Sequence, residues 1–203
     1  EFCLLISLPS AIGLYYLANP IIYTLFERGA FIAEDTIYTA KVLSMFAIGL
    51  PAYIFIKVLV TCFFAREDTK TPLYISIISV ITNIILSLLL IQSMREMGIA
   101  LATATSAWIN ALLLYSWLQI KRNIVPDSQL FSNGLNIIIS SVVMGIACYF
   151  LALNLFVNMI SMNTITNIGM LILTILVCKI IYIVMIFMVK VITIDDLKGY
   201  IKK

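Results

Sequence analysis

Residues 128–178 contain no Asp, Glu, Lys or Arg, and the chain has no His anywhere. An uncharged, Ile/Leu/Val-rich run of that length cannot be hidden inside a water-soluble domain of this size, because such domains carry roughly 25% charged residues to meet solvent. The whole 203-residue chain is 11% charged and 63% hydrophobic, with a mean hydropathy of +1.10. The medium that folds most of it is therefore hydrocarbon. A bilayer core of about 30 Å is crossed by about 20 apolar residues of helix. In lipid each span must satisfy its own backbone hydrogen bonds, which leaves helices as the form for spans this long. The expected fold class is an all-α polytopic membrane protein with about six transmembrane helices.

Phe2–Phe26 is uncharged and reads as the first span. The second runs from about Ile37 to Ala65, with Lys41 near its start and Lys57 inside. The third is Pro72–Ile91, with Thr71 as N-cap and Pro72 in the first helical position, where the missing N–H leaves nothing unpaired. Gln92–Met97 is a short loop, and Gly98–Ile120 is the fourth span, closed by Lys121-Arg122. The uncharged stretch is too long for one helix. The polar cluster Asn154, Asn158, Ser161, Asn163, Thr164, Thr166 and Asn167 divides it into a fifth span, Leu135–Phe156, and a sixth, Ile165–Ile192. The expected organisation is a four-helix unit over 1–120, a linker over 121–134, two further helices over 135–192 and a short charged tail over 193–203. The chain opens at Glu1 without a methionine and enters an apolar run at once, so it is expected to be a fragment whose upstream part is missing.

Lysine and arginine placement sets the orientation. With the loops after spans two and four and the tail on one face, that face holds Arg66, Lys70, Lys121, Arg122, Lys190, Lys198, Lys202 and Lys203, and the opposite face holds Arg28, Lys41 and Arg95. Eight against three is a positive-inside bias, which makes the first face, the linker, the tail and the C-terminus cytoplasmic. The net charge of +3 is too small to point to a nucleic-acid partner.

Lys57 lies roughly two turns from the cytoplasmic end of its span. A Lys at a helix centre costs about 2.5–3.5 kcal/mol on insertion scales, and less when it can snorkel. Lys57 therefore either snorkels to the inner interface or faces a water-filled cavity where it meets an anionic substrate. Lys179 is deeper, and a polar groove, a partner helix or a thinned bilayer could each account for it. Glu27-Arg28-Gly29 most simply pairs two charges at the outer interface, with Gly29 ending the helix in a left-handed conformation. The turn from Arg66 to Pro72 reads as a solvated loop with a helix cap, or as a gate between helices. Gly98, Ala102, Ser106 and Asn110 recur every four residues, a spacing that lets helix backbones approach and polar side chains bond across, and Thr82, Asn83 and Ser87 fit the same purpose. Tyr15, Tyr16, Tyr23, Tyr38, Trp117 and Tyr200 fall near span ends, where interfacial aromatics belong.

Cys3, Cys62, Cys148 and Cys178 sit singly in separate apolar segments and read as buried free thiols. All the acids fall in loops or the tail, which argues against a proton relay in the spans. There is no metal-ligand cluster, nucleophile elbow or pair of intramembrane carboxylates, so neither an enzyme, a cofactor nor a metal is expected.

Several stretches resemble one family. Leu8-Pro9-Ser10-Ala11-Ile12-Gly13-Leu14, then Leu25-Phe26-Glu27-Arg28-Gly29-Ala30-Phe31, are similar to the MurJ/MviN lipid II flippases. The similarity continues through Gly49-Leu50-Pro51, Lys57-Val58-Leu59 and Phe63-Phe64-Ala65-Arg66-Glu67-Asp68-Thr69-Lys70-Thr71-Pro72. It then takes in Asn83, Gly98-Ile99-Ala100-Leu101-Ala102-Thr103, Asn110 and Leu114-Tyr115. Residues 8–120 match well, and 121–203 fit as two more helices in the right place.

The resemblance implies membership of the multidrug/oligosaccharidyl-lipid/polysaccharide exporter superfamily, whose flippases have fourteen helices in two lobes around a central cavity. Residues 1–120 would be the four-helix portion of the C-terminal lobe. The last two helices would be the added pair, whose groove is thought to hold the polyprenyl tail. The implied function is carriage of the undecaprenyl-linked peptidoglycan precursor, lipid II, across the bacterial inner membrane by alternating access. Implied partners are lipid II, membrane lipids and the missing N-terminal half, which carries the family's main head-group arginines. Lys57 matches a charged position facing the cavity, and Arg28, Arg66, Asp68 and Lys70 match loop positions with gate or structural roles. Lys179 matches no family position. Two alternatives stay open: an exporter of other lipid-linked oligosaccharides or drugs, and a non-transporting scaffold for cell-wall synthesis.

Overall fold

The computed structural model describes residues 2–122, 128–159 and 164–189. Six helices follow in order: α1 (Phe2–Phe26), α2 (Ala33–Phe64), α3 (Lys70–Met94), α4 (Glu96–Arg122), α5 (Ser128–Met159) and α6 (Thr164–Met188). All six are long and apolar enough to cross a membrane, so the chain is an all-helical multi-pass membrane protein. The expected tail 193–203, Ile192, Ser161 and Asn163 lie outside the described residues.

The helices do not pack in chain order. α3 lies on α4, α4 on α2, α2 on α1, and α1 on both α5 and α6. The large side chains point outward: Leu73, Tyr74, Ile81 and Leu88 of α3 are all more than half exposed. Lipid tails are as apolar as leucine, so no hydrophobic force drives such residues inward, and helices associate through close packing and hydrogen bonds. The interfaces are accordingly built from small residues. Ala52 of α2 meets Ala107 and Ala111 of α4, and Leu114 then seals the layer with Leu59 and Phe63. On the opposite side of α4, Ser79 of α3 donates to the Ser106 carbonyl at 2.9 Å. Gly49 lets α2 approach α4 closely, since a Cβ there would lie 3.0 Å from Ala104 Cα.

Prolines inside the helices open their ladders in predictable places. A proline at position i has no N–H for the carbonyl at i−4. Pro51 thus releases the Ala47 carbonyl, and one residue on, Trp108 of α4 donates its indole N–H to Ile48 O at 3.0 Å. Pro9 releases the Leu5 carbonyl of α1. Tyr182 of α6, far away in sequence, donates its hydroxyl to that oxygen at 2.6 Å.

Several expected helix ends are corrected; α2 starts at Ala33 and not at about Ile37, so Glu34 and Asp35 lie in its first turn. No loop separates spans three and four over Gln92–Met97, because α3 continues to Met94 and the reversal is confined to Arg95, at φ 50° and ψ −130°. Gly98 N–H donates to Arg95 O at 3.0 Å, and Gly98 packs against the Leu90 backbone, so the absent side chain permits the tight turn. Thr71 is not the cap of α3. The helix starts at Lys70 because the Asp68 carboxylate accepts from both Thr71 N–H (3.1 Å) and Thr71 Oγ1 (2.8 Å). The fifth span starts at Ser128 and not at Leu135, so residues 128–134 of the expected linker are helix.

Candidate functional site

A groove of about 500 Å³ lies between α1, α5 and α6. Its existence follows from the packing order, because among the described residues α1 alone joins the α5–α6 pair to α2, α3 and α4. Along α1 the wall is made by Pro9, Ser10, Gly13 and Leu14, and a Cβ placed on Gly13 would meet nothing within 4 Å. The glycine therefore widens the groove and is not demanded by a helix contact. The floor is the cluster of Leu17, Met144, Cys148, Cys178 and Tyr182. Two features hold the walls together. The Tyr182–Leu5 hydrogen bond ties α6 to the first turns of α1. Cys148 of α5 faces Cys178 of α6 with the sulfurs 2.7 Å apart, both as free thiols.

Sequence reasoning placed these cysteines singly in separate segments, and the fold brings two of them together. Cys148 and Cys178 are buried, whereas Cys3 and Cys62 are only partly so, which corrects the expectation that all four are buried. The sequence did carry a signal for Tyr182: a mid-span proline requires an outside donor four residues upstream of it. Nothing local in the sequence points to the pairing of the cysteines.

Lys179 lines the same groove and is exposed. The groove is otherwise neutral, and its chemistry is that of a slot for hydrocarbon with one fixed cation in its wall. Lys57 is elsewhere, exposed on α2, with its carbonyl accepting from Thr61 Oγ1 at 2.8 Å. The fold does not bring Lys57 into the groove.

The charged turns have defined geometry. Gly29 has φ +65° and ends α1 in the left-handed region. Arg28 Nη2 donates to Leu25 O at 2.8 Å, covering a terminal carbonyl of α1, while the Glu27 carboxylate accepts from Thr36 of α2 at 2.6 Å. That bond across the turn fixes α1 against α2. In the next turn, Arg66 and Lys70 are exposed, whereas Asp68 is half-buried beneath Thr71. Gly98, Ala102, Ser106 and Asn110 are all buried along α4.

Against this geometry, the chain has clear relatives. The family model described as "Lipid II flippase MurJ" matches residues 1–168. A Rhizobium tropici protein named "Probable lipid II flippase MurJ" is 42% identical over 145 residues, covering 71% of this chain and 27% of the relative. A Rickettsia prowazekii protein of the same name is 47% identical over 114 residues, covering 56% of this chain and 22% of the relative. A solved structure described as "Lipid II flippase MurJ, inward closed conformation" superposes with TM-score 0.70 at 27% identity, over 90% of this chain and 35% of that one. The chain spans about a quarter of the length of the curated relatives it matches. The family match runs through α1 to α5 and the first turn of α6, which takes in the α1 and α5 walls of the groove and stops short of its α6 wall, and this chain belongs to the lipid II flippase MurJ family.

Proposed function

We propose that this chain is the C-terminal part of a flippase that carries lipid II from the inner to the outer leaflet of the bacterial inner membrane by alternating access, with the C-terminus cytoplasmic. The observation that carries the reading is the apolar groove between α1 and the α5–α6 pair, in a chain of this family. A long prenyl chain needs a continuous hydrocarbon surface while its pyrophosphate and sugars cross, and the groove offers one along the helices. α1 to α4 form part of one rocking lobe, and the other lobe belongs to the remainder of the protein. Lys57 supplies positive charge to the central cavity that receives the head group. The turns around Arg28 and around Arg66, Asp68 and Lys70 set the helix ends that move. Gly98, Ala102, Ser106 and Asn110 keep α4 rigid within its lobe.

Filling the groove tests the reading. In Gly13→Phe the new Cβ meets no protein atom within 4 Å and the ring is carried into the groove. The expected result is a normal amount of protein in the membrane with lipid-linked precursor trapped on the cytoplasmic leaflet, while Gly13→Ala transports as before. Undiminished translocation by Gly13→Phe overturns the groove's role. Normal flipping with misplaced synthases, in cells depleted of the protein, overturns transport itself in favour of a scaffold.

A further inference from the structure

Lys179 is charged, lines a groove of otherwise neutral residues, and has no role in the helix contacts described above. It stands about 14 Å along the α6 axis from Met188 and about 22 Å from Thr164, remote from both ends of the span. Its Cα–Cβ bond leans toward the helix N-terminus. The side chain therefore sets out away from the nearer, C-terminal end, which opposes the short route to water. Among the described residues, no acid answers the charge from a span interior. Glu27, Glu34, Asp35, Glu67, Asp68 and Glu96 all lie in turns or in the first turn of a helix. The neighbouring Ser10 already spends its hydroxyl proton on Ile6 O, at 2.7 Å. An ammonium in hydrocarbon without an anion is costly, and such residues mark binding sites and pathways.

We propose that Lys179 binds the phosphate of a prenyl lipid whose tail fills the groove, holding the anion midway along the span. The inference rests on the reading of the groove as a tail site and adds the charged contact that this reading lacks. Charge complementarity selects the occupant: one cation with three N–H donors beside a long apolar slot matches one phosphorylated head on one long chain. The contact lies at the depth where a phosphate has least water to stabilise it, so Lys179 offsets that loss for an anion whose tail lies in the groove.

The test uses the protein in nanodiscs of uncharged phospholipid, with three photoreactive probes of equal chain length: a prenyl pyrophosphate, a prenyl monophosphate and the free prenol. Crosslinks to α1, α5 and α6 peptides report occupancy of the groove. The wild type is expected to capture both phosphorylated probes about tenfold better than the prenol. Lys179→Gln should lose that preference while capturing the prenol as before, and Lys179→Arg should keep it. Equal capture of prenol and pyrophosphate by the wild type overturns the proposal, as does an undiminished preference in Lys179→Gln. Displacement of the pyrophosphate probe by equimolar phosphatidylglycerol also overturns it, in favour of a general anionic-lipid site. If no probe labels these helices, prenol included, the tail-groove reading falls as well. Prenol capture without a role for Lys179 sinks this proposal alone.

Discussion

Tyr182→Phe removes a hydrogen bond whose need is written in the sequence of another helix. Pro9 has no N–H, so the Leu5 carbonyl has no helical partner, and the Tyr182 hydroxyl at 2.6 Å takes its place. The ring of Tyr182 stays in the groove floor with Leu17, Met144 and Cys148, so the substitution changes the bond and leaves the packing. Leaving a buried carbonyl unpaired costs about 1–3 kcal/mol. Side-chain hydrogen bonds within membrane bundles average about 0.6 and reach about 1.7 kcal/mol. Because this acceptor has no alternative donor in its own helix, the loss should fall near the upper membrane value, about 1.5 kcal/mol, or about tenfold in the unfolding constant. In a Pro9→Ala background the new backbone N–H can reach Leu5 O. The same Tyr182→Phe change should then cost only about 0.5 kcal/mol, giving a coupling of about 1 kcal/mol. The four proteins are compared by unfolding in mixed micelles of rising denaturing-detergent content, followed by the fluorescence of Trp108 and Trp117. An identical loss from Tyr182→Phe in both backgrounds refutes the orphaned-carbonyl argument.

The same assay distinguishes glycines that are chemically alike. A Cβ on Gly98 would lie 2.6 Å from Leu90 O and 2.7 Å from Leu90 C, backbone atoms that cannot swing aside, so Gly98→Ala should destabilise by about 1–2 kcal/mol after the better helix propensity of Ala is counted. Gly169→Ala meets nothing within 4 Å and should be neutral or stabilising by up to about 1 kcal/mol; the reverse order of the two variants would refute the packing account. Asp68→Ala removes the acceptor of two bonds at the start of α3 and should cost about 1 kcal/mol, while Asp68→Asn should keep most of that stability.

The number of helices, their order and the medium that folds them were legible from the chain alone, because an uncharged run such as 128–178 suits only hydrocarbon, and apolar spans this long cross it as helices. The ends of the helices were less legible. Gln92–Met97 looked polar enough for a loop, yet a single residue, Arg95, makes the reversal once Gly98 lets α4 close on Leu90. At the other turn, Asp68 and Thr71 are both capping residues by type, and only their hydrogen bonds identify Asp68 as the acceptor. The four-residue spacing from Gly98 to Asn110 was visible as a stripe, but its neighbours Ala104, Ala107 and Ala111, buried on the side of α2, were not.

Lys57 and Lys179 show where sequence stops. Both read as costly charges in apolar spans, since residue type and depth along the span are visible in the sequence. Which one lines a groove depends on which helices α1 touches, and that is a matter of tertiary packing. The pairing of Cys148 with Cys178 and of Tyr182 with Leu5 belongs to the same level. Hydropathy acts along one helix at a time and so determines spans. Contacts between helices depend on the shapes of several faces at once, which no single run of residues contains.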